Sequence, residues 1–310
     1  MAIGFSDIPD VVIDYVRTVF AAANDKVSLT LTNQPSFHEP FLDSVLVTEL
    51  SAAPPAFFAA EKIGLEIETH FLGSRWMHGR FEIADIAFSI TLRQRGRLEL
   101  RKVALLQTKR LYSREIAVPP ADPVDFVIGI GRLIDRPEPT FPLSKQRQFK
   151  FDETSTYDAI SSGSGQIERI GSYMKKRGLP VYYGLYNPLA VPFSGEFPPA
   201  PGANATIANS TGFRILPAGD VHAVVAGLKE GQSPSFKSLA RALPIDSADS
   251  ASQHGWRLER FVADEVLRCR EGKLYDSVMH PSLYGLLYER GAPITAAIAI
   301  TIDFGADAPS

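Results

Sequence analysis

Apolar positions at the start of the chain recur at helical spacing and later switch to the alternation of strands. Between Ser6 and Ala23, Val11, Val12, Tyr15, Val16 and Val19 share one helical face. Pro9 suits a first turn, where its missing N–H is no loss. Residues 26–32 alternate and read as a short strand. A second helix is expected from Ser36, because Ser36-Phe37-His38-Glu39 has the capping-box pattern and Phe41, Leu42, Val45, Leu46 and Leu50 form an apolar face. Pro54-Pro55 ends it, since neither residue donates a helical hydrogen bond.

From Gly64 the period becomes two, and strands are expected over residues 65–72, 82–92 and 102–111. The last two are linked by Arg93-Gln94-Arg95-Gly96-Arg97, which reads as a hairpin. Their centres are apolar on both faces, the pattern of strands inside a covered sheet. Residues 119–142 are proline-rich around an apolar stretch at 126–134. A helix over 166–176 and a strand over 179–186 follow, and Tyr182, Tyr183 and Tyr186 read as strand core. Residues 194–209 read as a long loop, then come a strand at 213–216, a helix at 220–226, a helix at 256–273 and a closing strand at 294–303. The expected organisation is a core over residues 1–190 and a C-terminal α+β extension over 191–310 within reach of the same domain.

Composition narrows the class. The 310 residues are 45% hydrophobic and 22% charged with net charge −3, an ordinary globular balance, so contact with nucleic acid has to use a local basic patch. A single cysteine, Cys269, allows no intrachain disulfide, which fits a reducing compartment. The opening MAIGFSDIPDVV lacks a basic segment followed by a long apolar one, so no signal peptide is expected. No apolar run reaches bilayer length, and the expectation is a cytoplasmic protein that does not enter membranes. Gly129-Ile130-Gly131 lacks a dinucleotide fingerprint, Ser162-Gly163-Ser164-Gly165 lacks a P-loop lysine, and the six histidines show no zinc spacing.

The chemistry gathers on the expected hairpin. Asp85 lies inside an apolar strand, and a buried aspartate needs a partner, hydrogen bonds or a metal. On the other arm Gln107 and Lys109 are two apart and point to one face. An aspartate and a carbonyl oxygen hold a hard cation such as Mg²⁺, and a lysine beside them orients water or neutralises developing charge. From Arg93 to Arg114 lie Arg93, Arg95, Arg97, Arg101, Lys102, Lys109, Arg110 and Arg114, opposed only by Glu99, a patch suited to a phosphate backbone.

The order of elements resembles the PD-(D/E)XK restriction-endonuclease-like nucleases, whose core runs helix, strand, strand with Asp, strand with (D/E)XK, helix, strand. The resemblance covers roughly residues 36–190, and Gln107-Thr108-Lys109 is similar to the Gln-X-Lys form of the Mrr-like branch. It implies an α/β fold with a mixed central sheet flanked by helices. It also implies a Mg²⁺- or Mn²⁺-dependent DNA endonuclease of restriction or antiphage defence. Asp85, Gln107 and Lys109 would be catalytic, with Glu39 from the first core helix or Glu68 (Glu66 shares its face) completing the metal set. Arg93, Arg95, Arg97, Arg101, Lys102, Arg110 and Gln166 would contact nucleic acid. A second copy, for paired cuts, or a partner protein of a defence system is the implied protein partner. The alternative is a nuclease-like module that has lost cleavage and binds nucleic acid or protein, motivated by the neutral Gln107.

Overall fold

The computed structural model describes residues 3–71, 83–117, 147–197, 206–242, 255–275, 280–287 and 294–307. The proline-rich segment at 119–142, with Gly129-Ile130-Gly131, lies outside them.

Two long helices open the chain, α1 (Asp10–Asn33) and α2 (Glu39–Ser51). The strand expected at 26–32 is instead the last two turns of α1. Val27 and Leu31 continue the buried row of Val16, Phe20 and Ala23 at spacings of three and four, so packing overrides the local alternation. The hydroxyls there bond backward along the helix, Thr30 to Lys26 O (2.8 Å) and Thr32 to Ser28 O (2.7 Å). Helix α2 starts two residues later than the capping-box reading placed it, with His38 instead of Ser36 as its N-cap.

The strands in chain order are β1 (Ala56–Phe58), β2 (Ile63–Phe71), β3 (Ala84–Gln94), β4 (Arg97–Arg110), β5 (Arg114–Ala117), β6 (Arg147–Phe151), β7 (Val181–Tyr186), β8 (Phe193–Phe197), β9 (Arg214–Pro217), β10 (Trp256–Arg257), β11 (Lys273–Tyr275) and β12 (Ile294–Phe304). Among the described residues nine form one mixed sheet in the order β1-β2-β12-β3-β4-β7-β9-β10, with β11 alongside β4, and β5-β6-β8 form a second, small sheet. The β3–β4 hairpin is antiparallel and β4–β7 is parallel. Strand β12 lies between β2 and β3, parallel to β3 and antiparallel to β2, so the first two expected core strands are not neighbours. The segment after 191 supplies four strands of the main sheet, and the loop expected at 194–209 begins within β8.

Helices cover both faces. The side chains of Thr108 and Arg110 on β4 reach α2 and the α1–α2 connection, which places those helices on one face. Helix α3 (Gly165–Arg177) is the crossover before β7, and α4 (Ala218–Ala226) meets Tyr183 of β7 through His222. A short helix, α5 (Phe236–Ala242), follows. The helix expected at 256–273 is much shorter: β10 gives way to one turn, Leu258–Arg260, then to a π-helical turn over Phe261–Val266, where Leu267 N–H bonds Val262 O at 3.0 Å. Cys269, at φ 63°, ends it, and Pro281–Leu287 forms a last helix before β12. No helix among the described residues is long and apolar enough to cross a membrane.

Lys102 is 1% exposed on β4, its ammonium 2.9 Å from Val266 O and 5.6 Å from the centre of the Phe5 ring. Burial lowers its pKa, so holding the ammonium in the folded protein weakens the fold at neutral pH. That penalty fades as pH rises through the lowered folded pKa towards the unfolded value of about 10.4. Lys102→Met is therefore expected to stabilise the protein by about 1 kcal/mol at pH 7, with the gain shrinking towards pH 10. Thermal unfolding at both pH values checks this.

Candidate metal centre

The centre forms where the β3–β4 ladder opens at its Asp85 end. The first recorded rung is Ile86 opposite Leu106, and Asp85 and Gln107 follow immediately beyond it. There Asp85 Oδ2 accepts from Thr108 N–H (2.6 Å), lies 2.9 Å from Thr108 Oγ1 and accepts from the Gln107 side-chain amide. All three contacts fall on Oδ2. Burial pushes the Asp85 carboxyl up, the nearby Lys109 ammonium and the Thr108 hydrogen bonds pull it back, and Glu39 pushes it further up. The net direction is upward.

Gln107 is 2% exposed, and its Oε1 is buried without a hydrogen-bond partner among the described residues. An orphaned buried carbonyl is uncommon and costs about 1–3 kcal/mol. Lys109 is 8% exposed and stands on the same strand face as Gln107. The structure thus brings Asp85, Gln107 and Lys109 together.

Glu39, the first residue of α2, turns to the sheet. Its Oε1 accepts from Arg110 N–H (3.3 Å) and Tyr112 OH (3.5 Å), so it serves β4 instead of a capping box. Asp43, one turn further along α2, is buried and was missed in the sequence reading. Its Oδ2 lies 3.1 Å from Thr108 Oγ1, and its Oδ1 accepts from Tyr186 OH at 2.6 Å. The available signal was an acidic residue beside Leu42 on an apolar face, four residues after Glu39. Glu68 does not join the centre: it is exposed, pairs with Ala299 of β12, and lies two strands from β3. Glu66 is exposed on the same strand.

The basic stretch divides. Arg93, Arg95 and Arg97 are exposed at the hairpin tip, ten residues along β3 from Asp85, or roughly 30 Å at about 3.3 Å per residue. Arg101 is half-buried against Thr91 (3.3 Å). Lys102 and Arg110 are both buried, Arg110 donating to Pro35 O and stacking on Tyr112 with its guanidinium 3.8 Å from the ring centre. These two cannot track a phosphate backbone, because their charges are committed inside the fold. Gln166 is half-buried in the first turn of α3, where its backbone N–H donates to Ser164 Oγ (3.3 Å).

The donor set is oxygen only: a carboxylate and an amide carbonyl, with the Glu39 carboxylate close enough to act on Asp85 through its charge. Among the described residues no group of three His, Cys, Asp or Glu side chains is arranged to hold a metal ion. Mg²⁺ keeps several waters and is commonly held by one or two carboxylates, so Asp85 with Gln107 fits a hard, partly hydrated divalent cation. Comparison of the chain with protein-family models, with curated proteins and with solved structures finds no match.

Proposed function

We propose that the protein is a divalent-metal-dependent nuclease of the PD-(D/E)XK type in its Gln-X-Lys form, acting on DNA. The observation that carries this reading is the buried Gln107 Oε1, without a hydrogen-bond partner among the described residues, on the residue whose amide meets Asp85 Oδ2. Asp85 and Gln107 would hold Mg²⁺ or Mn²⁺; Glu39 acts on Asp85 through its charge from the α2 face, opposite to the face of Gln107 and Lys109. A bound metal supplies an activated water and charge for the phosphate. Lys109, on the same face, would orient that water or neutralise the anion that develops on the phosphate. The helix-sheet-helix layering and the hairpin support the fold assignment, while β12, from outside residues 36–190, separates β2 from β3 in the sheet.

The test is Mn²⁺ titration by calorimetry together with cleavage of supercoiled plasmid in Mg²⁺ or Mn²⁺. Saturable binding near one ion per chain and metal-dependent nicking are expected; neither appearing removes the proposal. A second reading, a nuclease-like module without cleavage, has its own support. The three contacts on Asp85 Oδ2 also make a complete strand-end cap. Retained DNA affinity with no metal binding would select it. In either reading the exposed tip arginines would be available as phosphate contacts. Replacing Arg93, Arg95 and Arg97 together with alanine is expected to leave the fold intact and reduce the slope of log affinity against log salt by about 3.

A further inference from the structure

At the other end of the β3–β4 hairpin from Asp85, two turns and the end of β12 enclose an open cleft of about 810 Å³. Its lining includes Phe57 of β1, Lys62 just before β2, Arg95 of the hairpin turn, and Asp303, Gly305 and Asp307 at the end of β12. Hydrogen bonds tie this rim together. Lys62 O accepts from Gly305 N–H (2.7 Å) and Ala306 N–H (3.2 Å), and Arg95 N–H donates to Phe304 O (2.9 Å). Gly96 N–H donates to the Asp303 carboxylate, 2.8 Å from Oδ2 and 3.1 Å from Oδ1, so Asp303 serves the wall.

Lys62 and Arg95 both stand in the left-handed region, at φ 53° and 51°. Glycine or asparagine takes that conformation at less cost, so turn geometry does not account for a lysine and an arginine there. Strained residues of this kind gather at ligand sites. A Cβ on Gly305 would lie 3.3 Å from Arg95 Cγ and 3.5 Å from its Nε, so the Arg95 side chain lies across a floor without a side chain. Among the described residues neither Lys62 nor Arg95 forms an ion pair, although two carboxylates line the same cleft. A volume of about 810 Å³ falls within the roughly 300–1,000 Å³ of small-molecule sites.

We propose that this cleft binds a nucleotide. Its phosphate lies between the Lys62 ammonium and the Arg95 guanidinium, both of which give charge-assisted hydrogen bonds. Its base stacks on Phe57, the aromatic side chain of the lining. Asp307, exposed in the lining, accepts from a base amino group or a sugar hydroxyl. Inorganic phosphate alone would leave the aromatic wall unused and would meet both carboxylates. The site stands apart from the metal centre, since Arg95 is ten residues along the chain from Asp85, and it does not depend on the nuclease reading. The nucleotide is either free or one unit of a single strand.

The experiment is calorimetry on the full chain in EDTA, which keeps divalent ions out of the metal centre. The probes are deoxyadenosine monophosphate, deoxyribose 5-phosphate, deoxyadenosine and a ten-nucleotide strand of deoxyadenylate. Lys62→Gly and Arg95→Gly suit the backbone at those positions, so both should fold, and each should weaken binding of the monophosphate about tenfold or more. Phe57→Leu should weaken the monophosphate about tenfold and leave deoxyribose 5-phosphate unchanged. Asp85→Asn should bind as the parent does. No saturable binding of either the monophosphate or the strand overturns the proposal. So does parent-like binding by both glycine variants, or deoxyadenosine binding as tightly as its monophosphate. A strand bound at least tenfold tighter than the monophosphate, and lost in the glycine variants, assigns a strand as the source; comparable affinity assigns the free nucleotide.

Discussion

If the proposed nuclease reading holds, Asp85→Asn should lower metal-dependent DNA cleavage by about a thousandfold or more, and in any case it should raise the thermal midpoint of the protein. The loss follows from the charge that asparagine lacks: transition-state stabilisation by a bound cation amounts to several kcal/mol, and each 1.36 kcal/mol is tenfold in rate. The gain follows from burial, which pushes the Asp85 carboxyl up. A carboxyl group whose folded pKa exceeds its unfolded value stabilises the fold below the unfolded value. That contribution is lost as pH rises through the folded value. The variant has no such loss, so its advantage should grow from acid to neutral pH. The asparagine oxygen can still accept from Thr108 N–H, so the strand-end cap survives. Lys109→Met should also lower cleavage while sparing Mn²⁺ affinity, because the ammonium is assigned to water and phosphate. Equal plasmid cleavage by the parent and both variants would leave the cluster as a structural cap.

Asn24→Leu should be the most damaging single change away from the centre, costing about 3–5 kcal/mol. Asn24 is fully buried on α1 and ties three parts of the chain together. Its Oδ1 accepts from Phe213 N–H (2.8 Å) and Ser28 Oγ (3.1 Å), and its Nδ2 donates to Glu259 Oε2 (2.8 Å). Leucine fills a similar volume but leaves a backbone N–H and a buried carboxylate oxygen without that partner, each worth about 1–3 kcal/mol. The approach of Gly212 shows how tightly the amide is held. Its φ is +58°, and a Cβ there would lie 2.6 Å from Asn24 Oδ1. Urea unfolding should show the loss as a lower midpoint at unchanged slope. A midpoint within 1 kcal/mol of the parent, converted with that slope, would mean that the network is replaceable.

What the chain reveals in sequence form is mainly local. Asp85, Gln107 and Lys109 were legible because a strand repeats every two residues and a short hairpin returns on itself, and the structure places all three at one end of that hairpin. Asp43 was passed over although it interrupts the apolar face of Leu42, Leu46 and Leu50. A capping-box reading had already accounted for the acidic character of that helix start. Lys102 and Arg110 were counted as surface charge because composition carries no burial. The distance from the tip arginines to Asp85 needed only the rise of a strand, which local charge counting ignores. The end of α1 resembled a strand because the Ser28–Thr32 segment alternates. Only its packing, through Val27 and Leu31, selects the helix. Strand neighbours separated by two hundred residues, such as β12 and β3, leave no local signature at all.

That last pairing sets an order on biogenesis. Residues 294–304 supply the ladder on which both Ile63–Phe71 and Ala84–Gln94 lean, so the ribosome delivers the middle of the sheet after its flanks. Until then the two flanking segments have unpaired backbone edges facing each other, and contacts of such long sequence separation form slowly. A nascent chain therefore cannot complete the framework around Asp85 before translation has passed Phe304.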